Sequence, residues 1–101
     1  MLRITREAGT DGRATLRLAG SIVGEWATLL EFECEGLVRA GVGLSLDLAS
    51  VGFVDRAGVE SLGRLGRAGV EIRCRSGAVA SVLEAEGVPI TLAPVRWGRS
   101  T

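Results

Sequence analysis

The sequence predicts an α/β domain: a mostly parallel sheet with an added N-terminal antiparallel strand and helices mainly on one face. Three observations carry that expectation. The hydrophobic period alternates between 2 and 3.6 in the order β-β-α-β-α-β-α-β. Strands separated by helices are expected to run parallel through right-handed crossovers. Strand after strand also keeps one polar face, as with Thr15 and Arg17, Ser45 and Asp47, or Glu71, Arg73 and Arg75. A doubly wound sheet is covered on both sides and its strands are apolar throughout, so successive βα turns with helices on one side fit better.

Each element has its own signal. Leu2 and Ile4 alternate with Arg3 and Thr5 in a short first strand, and GTDG (Gly9 to Gly12) reads as a turn. RATLRLAG follows with Ala14, Leu16 and Leu18 on one face. From Gly24 to Ala40 the period changes: Trp26, Leu29, Leu30, Cys34, Leu37 and Val38 form a helical stripe, with Glu25, Glu31 and Glu35 mostly off it. Phe32 also lies off the stripe, and Gly41 is placed to end the helix.

VGLSLDLASV (Val42 to Val51) reads as the next strand, with Val42, Leu44, Leu46 and Leu48 on one face. A helix is expected over Arg56 to Ala68, carrying Val59, Leu62 and Leu65. Gly63 and Gly66 each weaken it by about 1 kcal/mol relative to alanine, so it leans on tertiary packing. VEIRCR (Val70 to Arg75), a short helix at Ala78–Glu86 and ITLAPV (Ile90 to Val95) complete the order. The tail RWGRST is expected to be loose.

One domain with one core suits this length, and 47% hydrophobic with 24% charged residues is ordinary globular composition. Twelve basic side chains balance twelve acidic ones, leaving no net-charge footprint for nucleic acid or an anionic membrane. There is no His, no Tyr and no Lys, so every basic side chain is Arg. That removes the commonest general base, any Schiff-base lysine and the lysine of a Walker phosphate loop. The expectation is a protein that is not an enzyme, with no cofactor and no metal site.

Cys34 and Cys74 stand in separate elements without CxxC spacing and read as buried thiols. Neither a leader-like apolar segment at the start nor a run of membrane-spanning length is evident, so a cytoplasmic location is expected.

One stretch does not fit a neutral scaffold. In FVDRAGVE (Phe53 to Glu60), Asp55 is a good helix cap, worth about 1 kcal/mol. The first helical position nevertheless holds Arg56, a cation where the helix dipole disfavours it by roughly 0.3–1 kcal/mol.

Here the chain resembles the STAS domain, the family of bacterial anti-sigma-factor antagonists, with related domains in sulfate transporters and lipid-transport systems. The resemblance spans roughly 2–95. It is carried by LRLAGSI (Leu16 to Ile22), DLASVGFVDRAGVESL (Asp47 to Leu62) and VEIRCRSGAVASVLEAEG (Val70 to Gly87). It implies a STAS-like βα superhelix and a regulatory protein–protein interaction module. In the family, the residue after the Asp is a Ser phosphorylated by a kinase-like anti-sigma factor. Residue by residue, Asp55 and Gly58 match, Ala57 is a tolerated small residue, and Arg56 replaces the phosphoacceptor. The family's acidic residue after the second strand is not evident, since Ile22 is followed by Val23. Ser61 lies further into the helix, is expected at the surface, and is a poor substitute.

The partner-binding surface is therefore expected at Asp55, Arg56, Ala57 and Gly58, without the phosphorylation switch. For Arg56 two readings stand: an exposed arginine tolerated where a working site decayed, or a fixed cationic contact to an acidic partner or a nucleotide phosphate. Gly58 is expected to allow close packing at the helix start. Asp47 is placed to accept a hydrogen bond near the loop or, the favoured reading, to be a solvated sheet-face residue, and Glu84 and Glu86 are expected to be solvated side chains near a helix end.

The implied partner is an anti-sigma factor, a sensor-linked kinase-like protein or another STAS protein. The helix N-terminus and Arg56 also suggest weak nucleotide binding near Asp55–Gly58, without nucleic-acid binding or membrane insertion. The alternative role is a small accessory subunit of a lipid-transporting ABC system.

Overall fold

Alternating burial along the strands builds the sheet that everything else rests on. The computed structural model describes residues 1–9 and 12–92 of the chain. Among these, the elements run β1 (Leu2–Ala8), β2 (Arg13–Ile22), α1 (Gly24–Arg39), β3 (Gly43–Val54), α2 (Arg56–Arg67), β4 (Glu71–Cys74), α3 (Ala78–Ala85) and β5 (Thr91–Leu92). This is the order the period changes predict. The strands lie side by side in sequence order, with β1 antiparallel to β2 and every later pair parallel.

Each parallel crossover steps one strand in the same direction. Right-handed connections of that kind lay successive helices on one face. On that face Leu16, Leu18, Ile22, Leu46, Leu48 and Ile72 meet Leu30 and Cys34 of α1, Leu62 and Leu65 of α2, and Leu83 of α3, all at most 3% exposed. The opposite face is polar: Arg17 bridges Glu7 at 3.3 Å and Asp47 at 3.8 Å. Asp47 is thus held rather than simply solvated, since its Oδ1 also accepts the Ala49 N–H at 2.9 Å.

Three differences from the sequence reading have physical reasons. First, the buried stripe of α1 is Ala27, Leu30 and Cys34, while Trp26 and Leu29 are 38% and 44% exposed. The small Ala27 lets the helix sit close to the sheet, which turns those two side chains outward. Second, β3 starts at Gly43 rather than Val42 and does not stop at Val51. It continues through Phe53 and Val54, which pair with Ser21 and Ile22 of β2 after β3 has twice carried an extra residue, once between the Arg17–Asp47 and Ala19–Ser50 pairs and once between Gly20–Val51 and Ser21–Phe53. Third, Ser61 is not at the surface. It is 2% exposed and its hydroxyl donates to Glu31 Oε1 at 2.9 Å.

Gly41 ends α1 as expected, with φ +84° and its N–H donating to the Val38 carbonyl while Val42 N–H reaches back to Leu37. Gly9 N–H closes the first hairpin onto the Arg13 carbonyl at 2.8 Å; Thr10 and Asp11 of the expected turn lie outside the described residues. So do residues 93–95 of the expected last strand and the whole tail 96–101.

The glycines of α2 are not equivalent. A Cβ on Gly58 would collide with the Ile22 carbonyl oxygen, a backbone atom of β2. A Cβ on Gly63 would make ordinary contacts, 3.6 Å to an Arg67 side-chain nitrogen and 3.7 Å to Val88. Gly58→Ala is therefore expected to destabilise the domain by about 1–3 kcal/mol as an overpacked site. Gly63→Ala should stabilise it by about 0.5–1 kcal/mol through helix propensity alone. Urea unfolding midpoints of the two variants check the opposite signs.

Candidate functional site

The start of α2 is fixed from two directions. Asp55 has extended backbone and caps its own helix, its Oδ1 accepting the Gly58 N–H at 2.8 Å. Its other oxygen, Oδ2, accepts the Gly24 N–H at 3.1 Å, so one carboxylate holds the first turns of both α1 and α2. α1 needs this help because Val23 occupies its cap and offers no side-chain acceptor. The backbone completes the joint: Asp55 N–H donates to the Ile22 carbonyl at 3.3 Å, the oxygen against which Gly58 packs.

The second bulge of β3 decides what this joint displays. Bulges re-aim side chains near sites. Here the extra residue at Gly52 leaves Phe53 57% exposed and Val54 buried. Arg56, at the first position of α2, is exposed and makes no ion pair among the described residues.

Beside it lies a groove of about 210 Å³ between α2 and α3, lined by Val54, Asp55, Arg56, Val59, Glu60, Val82 and Glu86. That is smaller than the roughly 300–1,000 Å³ of a typical small-molecule pocket. The four residues singled out from the sequence are thus brought together in different roles. Asp55 and Gly58 build the joint, Arg56 is displayed, and Ala57 is half-buried. Sequence reading missed Val82, Glu60 and Glu86 as neighbours of Arg56 in this groove. Val82 and Glu86 share one face of α3 at i, i+4 spacing, but no local signal places that face beside Arg56.

Behind the display, α1 and α2 are locked by a second carboxylate. Glu31 receives Arg64 Nε on Oε2 at 2.7 Å and Arg64 NH2 on Oε1 at 2.9 Å, together with the Ser61 hydroxyl. Its side chain is 14% exposed. The Arg64 hydrogen bonds hold its carboxyl below the usual range, against the opposing pull of burial and with help from Ser61.

The thiols are kept out of chemistry. Burial, reinforced by Glu33, Glu35 and Glu31, pushes Cys34 up to about 12, and burial raises Cys74 as well. Both are free and buried. No cluster of metal-ligating side chains occurs among the described residues.

Solved structures share this architecture. An anti-sigma factor antagonist from Mycobacterium paratuberculosis superposes with a TM-score of 0.76 at 21% identity, over 89% of this chain and 85% of that one. The anti-sigma factor antagonist SpoIIAA, in its unphosphorylated form, gives 0.65 at 17% identity over 91% and 90%. A protein from Shewanella loihica PV-4 with a SpoIIAA-like fold gives 0.57 at 13% identity over 91% and 84%. The fold of this chain is therefore that of a STAS domain. No protein-family model matches the sequence, and no curated protein matches it. No helix among the described residues is long and apolar enough to cross a membrane.

The Glu31 lock carries a pH signature. A carboxylate whose pKa is depressed on folding adds stability that is fully present above its unfolded value, ordinarily 4.5, and is lost as pH falls through the folded value. The stability gap between wild type and Glu31→Gln should be widest near neutral pH and narrow in acid. Thermal unfolding of both proteins across a pH series measures it.

Proposed function

We propose that this STAS fold serves as a non-enzymatic regulatory module that docks a partner protein through the start of α2 and that cannot be switched there by phosphorylation. The observation that carries the reading is Arg56, exposed at the first turn of a helix whose geometry is fixed by Asp55. A phosphate at this position would add about −1.5 to −2 charge and change what the surface binds. A guanidinium offers no hydroxyl to a serine kinase, and it is a permanent positive charge.

The exposed Val82, together with Val54 and Val59 in the groove between α2 and α3, supplies an apolar contact area beside the cation. An anchor of this kind, one charge set among apolar side chains, fits a partner that presents a carboxylate beside an apolar patch. On the family resemblance that partner is an anti-sigma factor, a kinase-like sensor or another STAS protein, met in the cytoplasm.

Nucleotide binding at the same helix start is the weaker reading. The Gly58 N–H that would receive a phosphate is already bonded to Asp55, whose carboxylate occupies the anion's place.

Arg56→Asp separates docking from folding because the two effects have opposite signs. Replacing a cation by a carboxylate in the first turn should stabilise the isolated domain by about 0.3–1 kcal/mol. The same change should weaken the partner by about tenfold or more, a loss of about 1.4 kcal/mol. Quantitative co-purification from the native cell, with urea unfolding alongside, reads both. A variant that keeps its specific partner at wild-type occupancy would refute docking at this helix start.

A further inference from the structure

β1 is the outer strand of the sheet, and among the described residues nothing pairs with its far edge. Two hydrogen bonds tell which of its backbone groups point outward. Ser21 N–H donates to the Met1 carbonyl at 2.9 Å, and Gly9 N–H donates to the Arg13 carbonyl at 2.8 Å. Residues of an antiparallel strand alternate between those that bond the neighbour and those that face away. Since residues 1 and 9 face β2, so do Arg3, Thr5 and Glu7. The N–H and C=O groups of Leu2, Ile4, Arg6 and Ala8 are therefore turned to the open edge.

An open edge invites pairing, and scattered charges usually discourage it. The charges of β1 are ordered instead, because Arg3 and Glu7 stand symmetrically about Thr5. We propose that this edge pairs with the same edge of a second copy, antiparallel, about a two-fold axis at Thr5, giving one continuous sheet through both chains.

In that register Leu2 meets Ala8 of the other copy, and Ile4 meets Arg6. All of these pairs use the outward-turned backbone groups. Arg3 then opposes Glu7 of the other copy in a non-hydrogen-bonded pair, the kind in which side chains stand closest. Charge also rejects the neighbouring registers that use the same groups. One sets Arg6 against Arg6, and the other sets Arg3 against Thr5 and loses both ion pairs.

The two faces of the junction agree with this pairing. On the polar face Glu7 is half-exposed at 50% and touches Arg17 at 3.3 Å, leaving a flank for Arg3 of the other copy. On the helix face a groove of about 600 Å³ lies between α1 and β1, with Ile4, Arg6, Leu29, Phe32 and Leu37 in its walls. Phe32 is 67% exposed and Leu29 44%. A two-fold at Thr5 sets the two grooves edge to edge across the paired strands, which brings these apolar side chains toward the junction. A self-associating edge is an isologous interface, in which one patch supplies both halves.

Sedimentation equilibrium of the purified chain over a concentration series tests the proposal, with amide hydrogen exchange on the same samples. The wild type should approach twice its 10.5 kDa mass, with exchange slowed at the Ile4 and Arg6 amides. Arg3→Glu and Glu7→Arg should each be folded monomers. An equal mixture of the two should dimerise again, because both junction pairs are then of opposite sign. Arg6→Pro removes an outward N–H without touching the β2 ladder and should give a folded monomer with a freely exchanging Ile4 amide. A wild type that stays monomeric at every concentration, a dimer whose Ile4 and Arg6 amides exchange freely, or a charge-swapped mixture that remains monomeric overturns the proposal.

Discussion

A single carboxylate organises this molecule at the point where its chain is most constrained. Asp55 gives one oxygen to the first turn of α2 and the other to the first turn of α1. Each helix start has N–H groups with no partner inside the helix, and leaving such groups dry is costly. α1 has no capping side chain of its own, so its entry geometry depends on a residue 31 positions later in the sequence. The absence of a Cβ at Gly58 lets α2 rest directly on the Ile22 carbonyl, which brings the two helix starts within reach of one side chain. Asp55 and Gly58 thus act as a unit, and their spacing follows from capping geometry as much as from any partner.

That constraint explains how an unfavourable residue can be tolerated and displayed. The capped start of α2 is anchored from below by the β2 carbonyl and from behind by the Glu31, Ser61 and Arg64 bonds. A cation at its first position costs little beside these. Because the helix start is capped by Asp55, Arg56 leaves the joint at a defined position and shares the groove with Val82. Rigidity of this kind lowers the ordering cost of association. On the proposed function, a partner held by this fixed charge would be released by competition or by a change in concentration.

Much of the fold was legible because it is written in periods. Polar residues on alternate positions of β2, β3 and β4 announced an open sheet face, and with it helices on one side. Gly58 was readable as a packing glycine from its distance to the Asp55 cap. The site was less legible, because its composition depends on register and on long-range pairing.

The second bulge of β3 leaves Phe53 exposed, and nothing in VGFV distinguishes a bulged strand from a strand that has ended. Ser61 looked like a surface serine because its partner, Glu31, lies 30 residues away on another helix. Glu31 in turn carries no local signal beyond lying off the apolar stripe of α1 with Glu25 and Glu35. Trp26 and Leu29 were misplaced because an apolar stripe wider than the contact leaves its flank unburied, and only the packing of Ala27 fixes which flank that is.

The shared carboxylate can be examined directly by amide hydrogen exchange at Gly24 and Gly58, in the wild type and in Asp55→Ala. If one side chain holds both helix starts, both amides should be protected in the wild type and both should lose protection together in the variant, although they belong to different helices. Loss at Gly58 with Gly24 unchanged would show that α1 is fastened independently, and the account of a common joint beneath Arg56 would be wrong.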